Sequence, residues 1–181
     1  MNFFNTKHRT DSTRLKEWDY SSSAYYFITI CTKYRKVFLG RVVRENIELS
    51  EIGEICNSYW SEIPKHFRNA TLNEYIIMPN HIHGILIIDN PTVETRHGVS
   101  LQDGTFTNKF SKPISGSLSV IINQYKSSVT RWCRNNGYNN FGWQRRFYEH
   151  IIRNEKSLNK IREYIKYNPL KWEFDKYNPD F

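Results

Sequence analysis

His81 and His83 stand two apart inside the most apolar run of the chain, Tyr75-Ile76-Ile77-Met78-Pro79-Asn80-His81-Ile82-His83-Gly84-Ile85-Leu86-Ile87-Ile88. In a strand, residues i and i+2 point to the same side of the sheet. The spacing therefore predicts two imidazoles side by side, with Ile82 turned to the opposite face. Such a pair on a rigid strand can ligate a divalent metal; it can equally be two polar residues facing solvent at a strand's start. Its position just after Pro79-Asn80 is where sheets meet functional loops. A second chemically capable pair lies near the C terminus. Tyr164 and Asn168 are four residues apart, one helical turn above the other on one face. Asn168 offers an amide oxygen suited to Mg²⁺ or Mn²⁺, and Tyr164 a phenolic oxygen that becomes a nucleophile beside a cation. The alternative is a core aromatic on the stripe of Ile161, followed by an asparagine that ends the helix before Pro169.

Positioning these groups requires a mixed architecture. Tyr25 to Thr32 reads as a central strand, and Val37 to Leu49, around Gly40, as a small hairpin. Ser50 begins a helix carrying Ile52, Ile55, Cys56, Tyr59, Trp60 and Ile63, limited by Pro64. Leu72–Met78 and His81–Ile88 are strands whose short connection makes them an antiparallel hairpin. A helix capped by Ser117 runs from Leu118 toward Gly137, Trp143 to Ile152 reads as a strand, and a last helix spans Glu155 to Tyr167. The order is α+β: a split β-α-β arrangement with a mostly antiparallel sheet, helices packed on it, and an extra C-terminal helix. Residues 1–22 read as a basic N-terminal arm, 23–172 as one domain with a loop insertion at 89–116, and 173–181 as an aromatic tail.

A chain of 181 residues with 39% hydrophobic and 15% aromatic content suits one globular core. No apolar run approaches the roughly 18 to 20 residues of a membrane span, and the N terminus lacks a signal-peptide core. The expectation is a cytoplasmic protein without a membrane. Cys31, Cys56 and Cys133 lie scattered in apolar patterns and read as buried reduced thiols. The net charge of +8, with Lys and Arg interleaved among rings at 33–36, 126–134 and 145–148, points to a polyanionic partner such as single-stranded or distorted nucleic acid.

His81-Ile82-His83 after Met78-Pro79-Asn80, together with Trp143-Gln144 leading through His150 and Arg153 to Tyr164-Ile165-Lys166-Tyr167-Asn168-Pro169, resembles the IS200-like single-tyrosine (HUH) transposases. The branch it is similar to is that of the transposases associated with repetitive extragenic palindromes. The resemblance covers roughly residues 20 to 172. It implies a ferredoxin-like domain and a C-terminal catalytic helix. The implied metal ligands, for Mg²⁺ or Mn²⁺, are His81, His83 and Asn168. The implied nucleophile is Tyr164, cutting one strand of single-stranded or hairpin DNA to leave a 5′-phosphotyrosine, with no nucleotide cofactor, as a monomer or homodimer. Glu149 and His150 would assist proton transfer or structure the site. Lys126, Arg131, Arg145 and Arg146 are candidate phosphate contacts. Tyr167 and Tyr148 are rival tyrosines, the first pointing off the ligand face. A two-histidine phosphodiesterase would need a second H-x-[S/T] or H-x-H motif, which the sequence lacks. A non-catalytic binder of hairpin DNA or RNA needs only the charge and the aromatics.

Overall fold

β1 (Ala24–Cys31) runs through the middle of the sheet, because its aromatic and β-branched residues find partners on both faces. It is flanked by β5 (His81–Ile88) and β6 (Tyr148–Ile152), with β4 (Ala70–Ile77) on the outer side of β5. The order β4-β5-β1-β6 is antiparallel at every junction, which is the ferredoxin-like, split β-α-β arrangement. The computed structural model describes residues 22–89 and 114–178. The expected N-terminal arm and most of the 89–116 insertion lie outside them. Among the described residues no helix is long and apolar enough to cross a membrane, and the three cysteines are free and buried.

Two helices cover one face of the sheet. α1 (Glu51–Ser61) begins where Ser50 Oγ accepts from the Gly53 amide at 3.1 Å. α3 (Leu118–Asn135) lies beside it. Trp60 and Tyr125 meet edge to face at 5.1 Å, over Ile28, Ile30, Ile82 and Leu86. Gly84 makes that fit possible: a Cβ there would stand 2.5 Å from the Trp60 ring. Gly84→Ala is therefore expected to lower stability by about 1–3 kcal/mol, the usual effect of overpacking. Urea unfolding would check this, and an unchanged midpoint would mean that Trp60 can move aside.

The other face carries α4 (Glu155–Lys166), opened by Asn154 Oδ1 accepting from the Ser157 amide at 2.8 Å. Ile165 is buried against Ile85 and Ile152, with Leu158, Ile161, Phe27 and Ile76 around them. Arg162 Nε donates to Asn73 Oδ1 on β4 at 2.9 Å, tying the helix across the sheet.

Several expectations are corrected in detail. The strand expected over Trp143 to Ile152 is confined to Tyr148–Ile152; Trp143 makes only an isolated bridge to Thr32, and Phe141 and Trp143 plug the core edge instead. Pro64 does not end α1 but opens a separate short turn, α2 (Ile63–His66), where its missing N–H costs nothing. Ser117 occupies the N-cap position without a side-chain capping bond. The hairpin is present as β2 (Gly40–Val43) and β3 (Asn46–Leu49), paired apart from the main sheet. The described part of the aromatic tail wraps the body, as its composition leads one to expect. A 3₁₀ turn at Pro169–Phe174 folds it back onto the start of β5.

Candidate metal centre and nucleophile

The register decides which side chains share the α4 face. Thr29 lies opposite both His83 and Tyr148, whereas Ile28 lies opposite both Gly84 and Glu149. Directly paired residues point to the same side, so Thr29, His83 and Tyr148 face α4, while Glu149 faces α1 and α3. His81 and His83 are completely buried side by side, ring centroids 4.5 Å apart, with Ile82 in the opposite core.

Each imidazole is held at Nδ1. The Thr29 Oγ1 lies 2.9 Å from His83 Nδ1. Asn80 Nδ2 donates to the Arg35 and Tyr177 carbonyls at 2.9 and 2.6 Å, which leaves its Oδ1 to accept from His81 Nδ1 at 2.9 Å. Asn80 therefore leaves a lone pair on His81 Nε2, and the His83 ring lies on the same side of the sheet. Tyr164 Oη, one turn from the end of α4, lies 3.0 Å from His83 Nε2. Among the described residues, His81 Nε2 and the amide oxygen of Asn168, both buried, have no hydrogen-bond partner. A buried acceptor left without a partner is unfavourable, and a cation could take the lone pair of each. Asp175, buried in the folded-back tail, completes a group with His81 and His83 whose ligand atoms lie within 4.8 Å of one another. That approximates the span of ligands around one small cation, twice a bond of about 2.1 Å.

The electrostatics suit ligation. Burial, and then the neighbouring Lys176 charge, lower the His83 pKa to about 3. Burial, then His83, Arg35 and Lys176, hold His81 well below the ordinary imidazole value. Both rings are neutral at physiological pH, with lone pairs available. Burial, followed by the Asp175 charge, raises the Tyr164 phenol, partly offset by its hydrogen bond with Asn168. Yet Tyr164 is 40% exposed, so it is not a core aromatic.

No protein-family model matches the chain. It is 39% identical over 168 residues to an uncharacterized protein of Haemophilus influenzae, covering 93% of this chain and 92% of that one. It is 27% identical over 156 residues, 84% of this chain and 74% of the other, to a protein of the same species described as a "Putative REP-associated tyrosine transposase". A solved structure of a REP-associated tyrosine transposase bound to a REP hairpin shares the fold, with a TM-score of 0.58 over 92% of this chain and 77% of that one, at 20% identity. The chain is thus similar in sequence to a putative REP-associated tyrosine transposase and shares the fold of a solved one.

The other residues singled out in this transposase relative fall into separate places. Glu149 is on the far face of the sheet from the histidines and cannot share their chemistry. His150 is exposed on the near face, opposite Phe27. Tyr148 is also on that face, its ring 6.3 Å from Phe27, which in turn packs edge to face on Tyr164 at 6.0 Å. Tyr167 is exposed, with Lys166 Nζ over its ring.

Lys126, Arg131 and Arg145 line a cleft of about 1240 Å³ beside α3, together with Lys33, Lys36 and Arg134; among the described residues no carboxylate lines it. Arg146 is exposed outside that lining. Lys126 differs from its neighbours. Its ammonium donates to the Gln144 and Arg145 carbonyls at 2.6 and 3.4 Å, and burial lowers its pKa to about 8. It braces the cleft wall instead of offering a free cation.

Sequence reasoning missed Thr29, Asn80, Asp175 and Tyr177. Asn80 sits in the Pro79-Asn80 turn beside the histidines, a signal that could have marked it. The tail residues had none, since only the 3₁₀ turn brings them to the site.

Proposed function

We propose that this chain is a metal-dependent enzyme that nicks and rejoins single-stranded DNA at hairpins, with Tyr164 as nucleophile and His81, His83 and Asn168 as metal ligands. The observation that carries the reading is the 3.0 Å approach of Tyr164 Oη to His83 Nε2 beside the His81 ring; the orphaned buried oxygen of Asn168, four residues on from Tyr164, supports it. A divalent cation, Mg²⁺ or Mn²⁺, bound there would supply Lewis acidity toward the scissile phosphate. The hard amide oxygen beside two imidazoles suits either ion.

The chain's own residues do the rest. With Nε2 unprotonated, His83 would offer one lone pair either to the Tyr164 hydroxyl or to a cation. Asn80 keeps the His81 ring in the tautomer that presents Nε2, and Thr29 holds the His83 ring in place at Nδ1. Phe27, packed on both His83 and Tyr164, holds nucleophile and ligand in register. Tyr164 Oη bonds to phosphorus as the bond from phosphorus to the 3′ oxygen breaks. The phenol loses its proton, the 3′ oxygen gains one, and the 5′ phosphate stays on the tyrosine. Attack by a 3′-OH on the phosphotyrosine reverses the balance and rejoins DNA, so no nucleotide cofactor is required.

The cationic cleft supports DNA as the substrate. Lys33 and Lys36 line it, while Arg35 between them turns to the tail, its guanidinium 5.0 Å from the Tyr177 ring against His81. One short segment thus joins the cleft to the histidine site. Incubation of the protein with end-labelled hairpin DNA and Mn²⁺ is expected to yield a covalent protein–DNA adduct. Binding to the same hairpin should exceed binding to a fully paired duplex and weaken steeply with salt. Salt-sensitive hairpin binding without any adduct would instead support a non-catalytic DNA-binding protein.

A further inference from the structure

We propose that Asp175 is a ligand of the metal site, delivered by the C-terminal turn, so that loading the cation fastens residues 169–178 across the histidine pair. This rests on the metal-binding reading of His81 and His83 above.

His81, His83 and Asn168 are all neutral donors. A dication held by them alone would keep its full charge in a buried setting, which is costly. Among the described residues, Asp175 supplies the carboxylate that reaches the pair, its ligand atom within 4.8 Å of theirs. It is itself buried, and among the described residues no lysine or arginine forms a salt bridge with it. A buried carboxylate without an ionic partner is paired with a metal more readily than left alone. The unpartnered His81 Nε2 and Asn168 Oδ1 are a second, independent feature that a cation would satisfy. Hard divalent ions favour oxygen, and two imidazoles, an amide and a carboxylate would leave two of six positions for water and a phosphate oxygen.

The turn is already built to present the group. Trp172 stacks over His81 at 6.2 Å, the Asn80 side chain donates to the Tyr177 carbonyl, and Arg35 donates to the Lys176 carbonyl at 2.7 Å. The competing role is a purely structural one, because Asp175 Oδ1 also accepts from the Tyr177 amide at 2.8 Å.

Asp175→Asn separates the two, since an amide oxygen can still accept from Tyr177 but carries no charge. The test is a Mn²⁺ titration of the full chain without DNA, followed by electron paramagnetic resonance. Asp175→Asn is expected to bind Mn²⁺ at least about 10-fold more weakly than wild type, with an unchanged unfolding temperature in EDTA. Binding equal to wild type, while His81→Ala loses the ion, would overturn the role of Asp175 and leave the metal reading standing. A wild type that binds no Mn²⁺, or a His81→Ala variant that binds it equally well, would overturn both. Should Asp175→Asn fail to fold, hydrogen exchange on wild type decides: Mn²⁺ must slow the Tyr177 amide, and an unchanged rate refutes the proposal.

Discussion

Tyr164→Phe is expected to abolish both strand cleavage and the covalent adduct while the protein stays folded. The substitution deletes one oxygen, the atom that bonds to phosphorus, so no weaker route through the same residue remains. The ring keeps its contacts with Phe27 and His83. The stability change has a specific source. Tyr164 Oη is the partner of a completely buried His83 Nε2, so its loss leaves that acceptor unsatisfied, at about 1–3 kcal/mol. Saturating Mn²⁺ should restore part of this, because the cation takes the same lone pair. Tyr148→Phe and Tyr167→Phe are the controls. The first is the more searching, since Tyr148 shares the sheet face of His83. An adduct that persists in Tyr164→Phe and disappears in Tyr148→Phe would reassign the nucleophile.

Replacing either histidine should have the second large effect. His81→Ala and His83→Ala are each expected to weaken Mn²⁺ binding by more than about 100-fold, beyond the loss typical of groups that merely orient a ligand. Cleavage should fall below detection with it, while salt-sensitive hairpin binding, which rests on the cationic cleft, persists. Neither variant is structurally silent. Both rings are fully buried, so truncation opens a cavity of the kind that costs about 2–5 kcal/mol. Binding should therefore be measured below the lowered unfolding temperature. Cleavage at the wild-type rate by either variant, with metal still required, would remove that histidine from the ligand set.

The placement of the histidine pair on a strand and of Tyr164 on a helix was legible in the sequence, although Asn168, expected on that helix, lies beyond its end at Lys166. Both follow from periodicities of the backbone, two residues for a strand and 3.6 for a helix, and these need no knowledge of the rest of the fold. The strand–helix order was legible for the same reason, as apolar residues at Ile52, Cys56 and Trp60 or at Ile161 and Ile165 mark the faces that must be covered.

Pairing across the sheet was not. Glu149 and Tyr148 are adjacent in the chain, and only their register against Ile28 and Thr29 puts one on the far face and the other beside the histidines. The aromatic run through Trp143 resembled a strand because local propensity cannot see that Phe141 and Trp143 fill the core edge instead. Lys126 read as one more surface cation until the fold buried it against two carbonyls. Asp175 and Tyr177 are nearly 100 residues from His81 in the chain, and their type and spacing predict nothing about each other. A single 3₁₀ turn after Asn168, packed by Trp172 and held through Asn80, brings them to the imidazoles. Local sequence determined which groups could do chemistry, and long-range packing decided which of them meet, because contact between distant segments depends on burying surfaces that no short window contains.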